Sequence, residues 1–157
     1  MNNYLVVLEE SLHKKLQLLD EIQNYNEAQY QVFSAENVQM EKFDEYMEEK
    51  GILIEKVVKL DEGFETLYAH LAEELKNNQG KYAGQIQALQ ELVKQVTEKS
   101  VAVQAQEARN KAQIEAYFAR EKRQIGQGRR NSQVAYSYYS NVSKAAQATP
   151  HFMDSRQ

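Results

Sequence analysis

The chain has 157 residues, enough for one domain with an ordinary core, and carries 23 Asp/Glu against 19 Lys/Arg for a net charge of -4. It has no Cys, which excludes disulfides, thiolate zinc sites and thiol nucleophiles. One Pro, six Gly and an abundance of Glu, Gln, Lys, Leu and Ala point to helix along most of its length.

The charge is unevenly spread. Residues 1–80 hold 17 Asp/Glu against 7 Lys/Arg, whereas residues 81–157 hold 6 against 12. An acidic half folding back on a basic half accounts for this better than nucleic-acid binding does. The latter would rest on the short cluster Arg120, Lys122, Arg123, Arg129 and Arg130 in a chain that is acidic overall. The opening residues reach Glu9 and Glu10 before a signal-peptide core can form, and no apolar run approaches the ~20 residues of a membrane span. The expected location is cytoplasmic.

A first helix is predicted from about Asn3 to Phe33, with Leu5, Leu8, Leu12, Leu16, Leu19 and Ile22 on one face. Ser34 and Asn37 are the capping candidates for the break that follows. A second helix, about Val38 to Lys76, places Leu53, Val57, Leu60, Phe64, Leu67 and Leu71 in a heptad rhythm, widened by Ile54, Val58, Tyr68 and Ala72. Gly51 and Gly63 inside it are read as points of close packing. Asn77-Asn78-Gln79-Gly80 forms a turn in which Gly80 suits a left-handed position.

A third helix is predicted from about Tyr82 to Ile125. Its seam is Tyr82, Ile86, Leu89, Val93, Val96, Ser100, Val103, Glu107, Asn110, Ile114 and Tyr117, beside a stripe of small residues, Ala105, Ala108, Ala112, Ala116 and Ala119. Beyond Gly126-Gln127-Gly128 lies a tail with an amphipathic stretch through Val134, Ala135, Tyr138, Tyr139 and Val142. The expected fold is all-α: an antiparallel coiled-coil bundle of three long helices over residues 1–126. Residues 127–157 follow as a short C-terminal helix or flexible tail, separable from the bundle.

No catalytic constellation stands out. Glu10 and His13 match the Glu-x-x-His spacing of di-iron bundles, but Leu67 occupies the corresponding place before His70, so the second half of such a site is missing. Gly126-Gln-Gly128-Arg129-Arg130 lacks the Lys-Ser/Thr ending and the preceding strand of a phosphate loop. The expectation is a non-enzymatic protein without cofactor or metal. Two features suggest protein binding. In the tail, Tyr136, Tyr138, Tyr139, Phe152 and Met153 place interface-type side chains on a segment with little core, or else fold back onto the third helix. On the third helix, Ala105, Ala108 and Ala112 offer a shallow surface for a partner's helix, or else pack closely on a neighbouring helix.

The heptad read back from Leu53 puts Lys50 on the apolar stripe of the second helix. With the turn near Gln79, Lys50 comes opposite Ala108 and beside Glu107. The two charges either pair, partly solvated at the open end of the bundle, or reach water separately.

Glu49-Lys50-Gly51-Ile52-Leu53-Ile54 and Lys59-Leu60-Asp61-Glu62-Gly63-Phe64-Glu65-Thr66-Leu67-Tyr68 resemble the second helix of the FlgN/FliT flagellar type III export chaperones, in the version of Gram-positive anaerobes. Ile86-Gln-Ala-Leu89-Gln-Glu-Leu92, Gln106-Glu107-Ala-Arg109-Asn110-Lys111 and Phe152-Met153-Asp154 extend the resemblance over most of residues 40–157. The resemblance implies a cytoplasmic chaperone that binds an unassembled hook-associated or filament-cap subunit, prevents its premature assembly and delivers it to the flagellar export apparatus. The alternative is a structural coiled-coil adaptor that forms homo-oligomers through its seams.

Overall fold

The computed structural model describes residues 2–121 and Tyr138. They form three long helices, α1 (Asn2–Ser34), α2 (Met40–Asn77) and α3 (Ala83–Arg120), with no strand among the described residues. The fold is all-α, as the heptad spacing predicts. None of these helices is long and apolar enough to cross a membrane.

α1 is the shared partner: α2 and α3 both pack closely along it, and their backbones approach each other less closely than either approaches α1. The cross-links fix the directions. Lys15 of α1 meets Asp61 of α2 and Gln29 meets Lys50, so α2 runs antiparallel to α1. Asp20 meets Lys99, Asn26 meets Gln106 and Tyr30 meets Gln113, so α3 runs parallel to α1.

The α1 seam is Leu5, Leu8, Leu12, Lys15, Leu19, Ile22, Asn26, Gln29 and Phe33, an unbroken alternation of three and four residues, and every member is buried. Leu16, expected on this seam, is only partly buried, and Lys15 takes the place. On α2 the deepest line is Phe43, Met47, Lys50, Ile54, Val57, Asp61, Phe64, Leu71 and Leu75. The α3 seam is close to that expected, with Leu92 more deeply buried than Val93. Where the three helices end together, Phe33 places its ring edge-on to Phe43 of α2 at 5.0 Å and to Tyr117 of α3 at 5.2 Å, a single aromatic tying the bundle shut.

Several local expectations give way. Gln39 is the N-cap of α2, its carbonyl accepting from the N–H groups of Lys42 and Phe43; Ser34 instead donates its hydroxyl back to Tyr30 O within α1. Gly80 has no positive φ, because the Asn78 carbonyl holds the turn by accepting from the N–H groups of both Lys81 and Tyr82. Gly51 and Gly63 make no close approach, since a Cβ on either would meet nothing within 4 Å. α3 stops at Arg120, where Glu121 leaves helical geometry; residues 122–125 of its expected continuation lie outside the described residues.

Candidate protein-binding surface

The bundle interior contains a polar centre that only long side chains can build, since α2 and α3 stand apart. Lys50 reaches across from α2, its Nζ 3.1 Å from Glu107 Oε1 of α3 and 2.5 Å from Gln29 Oε1 of α1. Tyr138 completes the group: its ring lies under the ammonium, 4.1 Å from centroid to Nζ, and its hydroxyl donates to Glu107 Oε1. Lys50 and Glu107 are 0% and 4% exposed. Their pairing is as the seam places them, but the expected partial solvation is wrong, because Gln29 and Tyr138 shut water out. Burial lowers the Lys50 pKa from 10.5 to about 8, against the opposing pull of Glu107.

Next to this centre, Asn110 Nδ2 donates to the Asn26 carbonyl at 3.0 Å and Asn26 Nδ2 donates to Gln106 at 3.1 Å, so the α1–α3 interface continues as hydrogen bonds. Arg109 extends it to the surface, pairing with Glu27 at 3.1 Å and stacking over the Tyr30 ring. Further along the bundle lies a second buried pair, Lys15–Asp61 at 2.8 Å, that heptad reasoning missed. Burial lifts the Asp61 pKa from 3.8 to about 6, with Lys15 pulling the other way. These groups are turned to one another across the helices and tie α1, α2 and α3 in register.

The surface is where binding is available. Ala105, Ala108 and Ala112 all lie exposed on α3, so the alternative of close packing against α1 or α2 does not hold. Ala116 and Ala119 continue the stripe towards the end of the helix, and Val101, 60% exposed, begins it. Of the tail residues, Tyr138 is buried against Glu107 and Lys50, within the chain. Tyr136, Tyr139, Phe152 and Met153 lie outside the described residues. Arg120, the one described member of the basic cluster, is exposed at the end of α3.

A second apolar feature, not anticipated from the sequence, is an open cleft of about 350 Å³ between the first half of α1 and the second half of α2. His13 lies on the surface, its Nε2 3.8 Å from Glu9 Oε1, and no group of three or more His, Cys, Asp or Glu positioned to hold a metal occurs among the described residues. No protein-family model, curated protein or solved structure matches the chain.

Proposed function

We propose that this protein works by binding amphipathic helices of another protein and catalyses no reaction. Following the resemblance of its second helix to the FlgN/FliT chaperones, the client is an unassembled hook-associated or filament-cap subunit of the flagellum. The protein holds that subunit in the cytoplasm, prevents its premature assembly and presents it to the export apparatus. The observation that carries the reading is the exposed stripe Val101, Ala105, Ala108 and Ala112 along α3. Short side chains in a row let a second helix lie close to the α3 backbone, and a helix that buries its apolar face there is protected from aggregation.

Co-expression with each hook-associated and cap subunit of the same genome, followed by light scattering, tests this. One client per chaperone chain is expected. Ala105→Glu/Ala108→Glu should weaken the complex at least tenfold with little change in Tm, because both positions are exposed. Homo-oligomers without a client complex would identify the structural adaptor instead.

A further inference from the structure

The cleft between α1 and α2 is walled by Val7, Leu60, Phe64 and Leu67, with Gly63 among its lining residues. Its apolar walls are incompletely covered: Val7 is 50% exposed, and Leu60 and Leu67 are only partly buried. It is a groove more than a hole. Tyr4, Val7, Ser11 and Lys14 follow one another along α1 at three- and four-residue steps, and Leu60, Gly63 and Leu67 do the same along α2. Two such stripes on antiparallel neighbours form the track that a third helix fills in a bundle.

Gly63 gives the groove a bare stretch of helix backbone. A Cβ there would meet nothing within 4 Å, so packing inside the chain does not require glycine. Its absence of a side chain leaves room for one from outside. The charges lining the cleft are Glu10, Lys14 and Lys59. Both lysines are exposed, and neither takes part in an ion pair or hydrogen bond among the described residues. The lining thus carries two cations against one carboxylate, in a half-chain where 17 acidic residues face 7 basic ones.

From the apolar walls, the bare glycine and the two lysines, we infer that this groove is an anchor site for a partner helix. The helix inserts one bulky apolar side chain over Gly63 and sets a carboxylate, about one turn away, against Lys14 and Lys59. The inference rests on the reading of the protein as a helix-binding chaperone and adds a second contact on the face formed by α1 and α2. It also states the partner's chemistry: an apolar anchor followed by an acidic residue.

The test is fluorescence anisotropy on the full chain with two labelled amphipathic helical peptides. One has Phe on its apolar face and Glu one turn on; its twin has Lys in place of that Glu. The Glu peptide should bind roughly tenfold more tightly, and Lys14→Glu/Lys59→Glu should invert the preference. Gly63→Met should abolish binding of both peptides while leaving Tm unchanged or raised. Equal affinities, no binding of either peptide, or undiminished binding by Gly63→Met would overturn the site. Repeating the client co-expression with Gly63→Met separates the two proposals. A client complex that survives this variant but is lost in Ala105→Glu/Ala108→Glu refutes the groove and leaves the chaperone reading intact. Peptide binding with the expected charge preference, but no client complex, does the reverse.

Discussion

Lys50 and Glu107 lie 57 residues apart in sequence and face each other in the sealed interior of the bundle, Nζ to Oε1 at 3.1 Å. A pair so placed is expensive to break, because the survivor is left as a buried, uncompensated charge. Glu107→Ala should therefore destabilise the protein by about 3–5 kcal/mol. Lys50→Met/Glu107→Leu should recover part of that loss, since neither charge then remains to be desolvated, although the buried Tyr138 hydroxyl and Gln29 each lose a partner. Equilibrium urea unfolding of the two variants measures both. A double variant no more stable than the single one would show the pair to be a net source of stability.

Tyr138 carries part of that sealing. Tyr138→Phe keeps the ring under Lys50 but removes the hydroxyl that donates to Glu107, and should cost about 1–3 kcal/mol. Truncation before Tyr138 should cost more, because it also opens the ion pair to water. Residues 127–157 were expected to be separable, and the burial of Tyr138 attaches an energetic cost to removing them. Thermal unfolding of the truncated chain with an undiminished Tm would refute this.

The two buried pairs also set a pH signature. Between pH 3.8 and about 6, the folded state holds the Asp61 proton more firmly than the unfolded chain does, so stability from this group falls as pH rises. Between about 8 and 10.5 the unfolded chain holds the Lys50 proton more firmly, so stability from this group rises with pH. From pH 6 to 8 both charges are present and both carry their desolvation cost. The Tm of wild type minus that of Asp61→Asn should fall from pH 4 to 6, and wild type minus Lys50→Met should climb from pH 8 to 10.5. Flat difference curves would contradict the assignment.

Gly51 and Gly63 sit in the interior of α2 with open space where a side chain would be. Replacing either by Ala should stabilise the protein by about 1 kcal/mol, through helix propensity alone. Chemical denaturation reads this directly, and a loss of stability would mean that the helix backbone is approached more closely than 4 Å.

Much of this architecture was legible because heptad spacing is strict. The turn near Gln79 sets a register between the second and third helices that places Lys50 beside Glu107, and the structure decides between pairing and separate solvation in favour of the pair. The same rule contained the second pair. A three-residue step from Leu12 lands on Lys15 and a four-residue step from Val57 lands on Asp61. Hydrophobicity drew the reading to Leu16 and Leu60 instead, because a lone buried charge is costly and its partner lies 46 residues away. Gly80 misled for a different reason: the turn is satisfied by the Asn78 carbonyl and needs no left-handed residue. The cleft at Gly63 was invisible to spacing, since it depends on how the flanks of two helices meet and not on either seam.

The central place of α1 has a kinetic consequence. Its antiparallel contacts with α2 include pairs only 21 residues apart, Lys50 with Gln29, whereas its parallel contacts with α3 join residues 79 to 84 apart. Closing the larger loops costs more chain entropy, so the α1–α2 hairpin should assemble first and act as the template on which α3 zips down. On the ribosome the first two helices emerge before α3 exists, with Lys50 still lacking Glu107. Core substitutions between α1 and α2, such as Val57→Ala, should slow refolding, whereas those confined to the α1–α3 seam, such as Val103→Ala, should mainly speed unfolding.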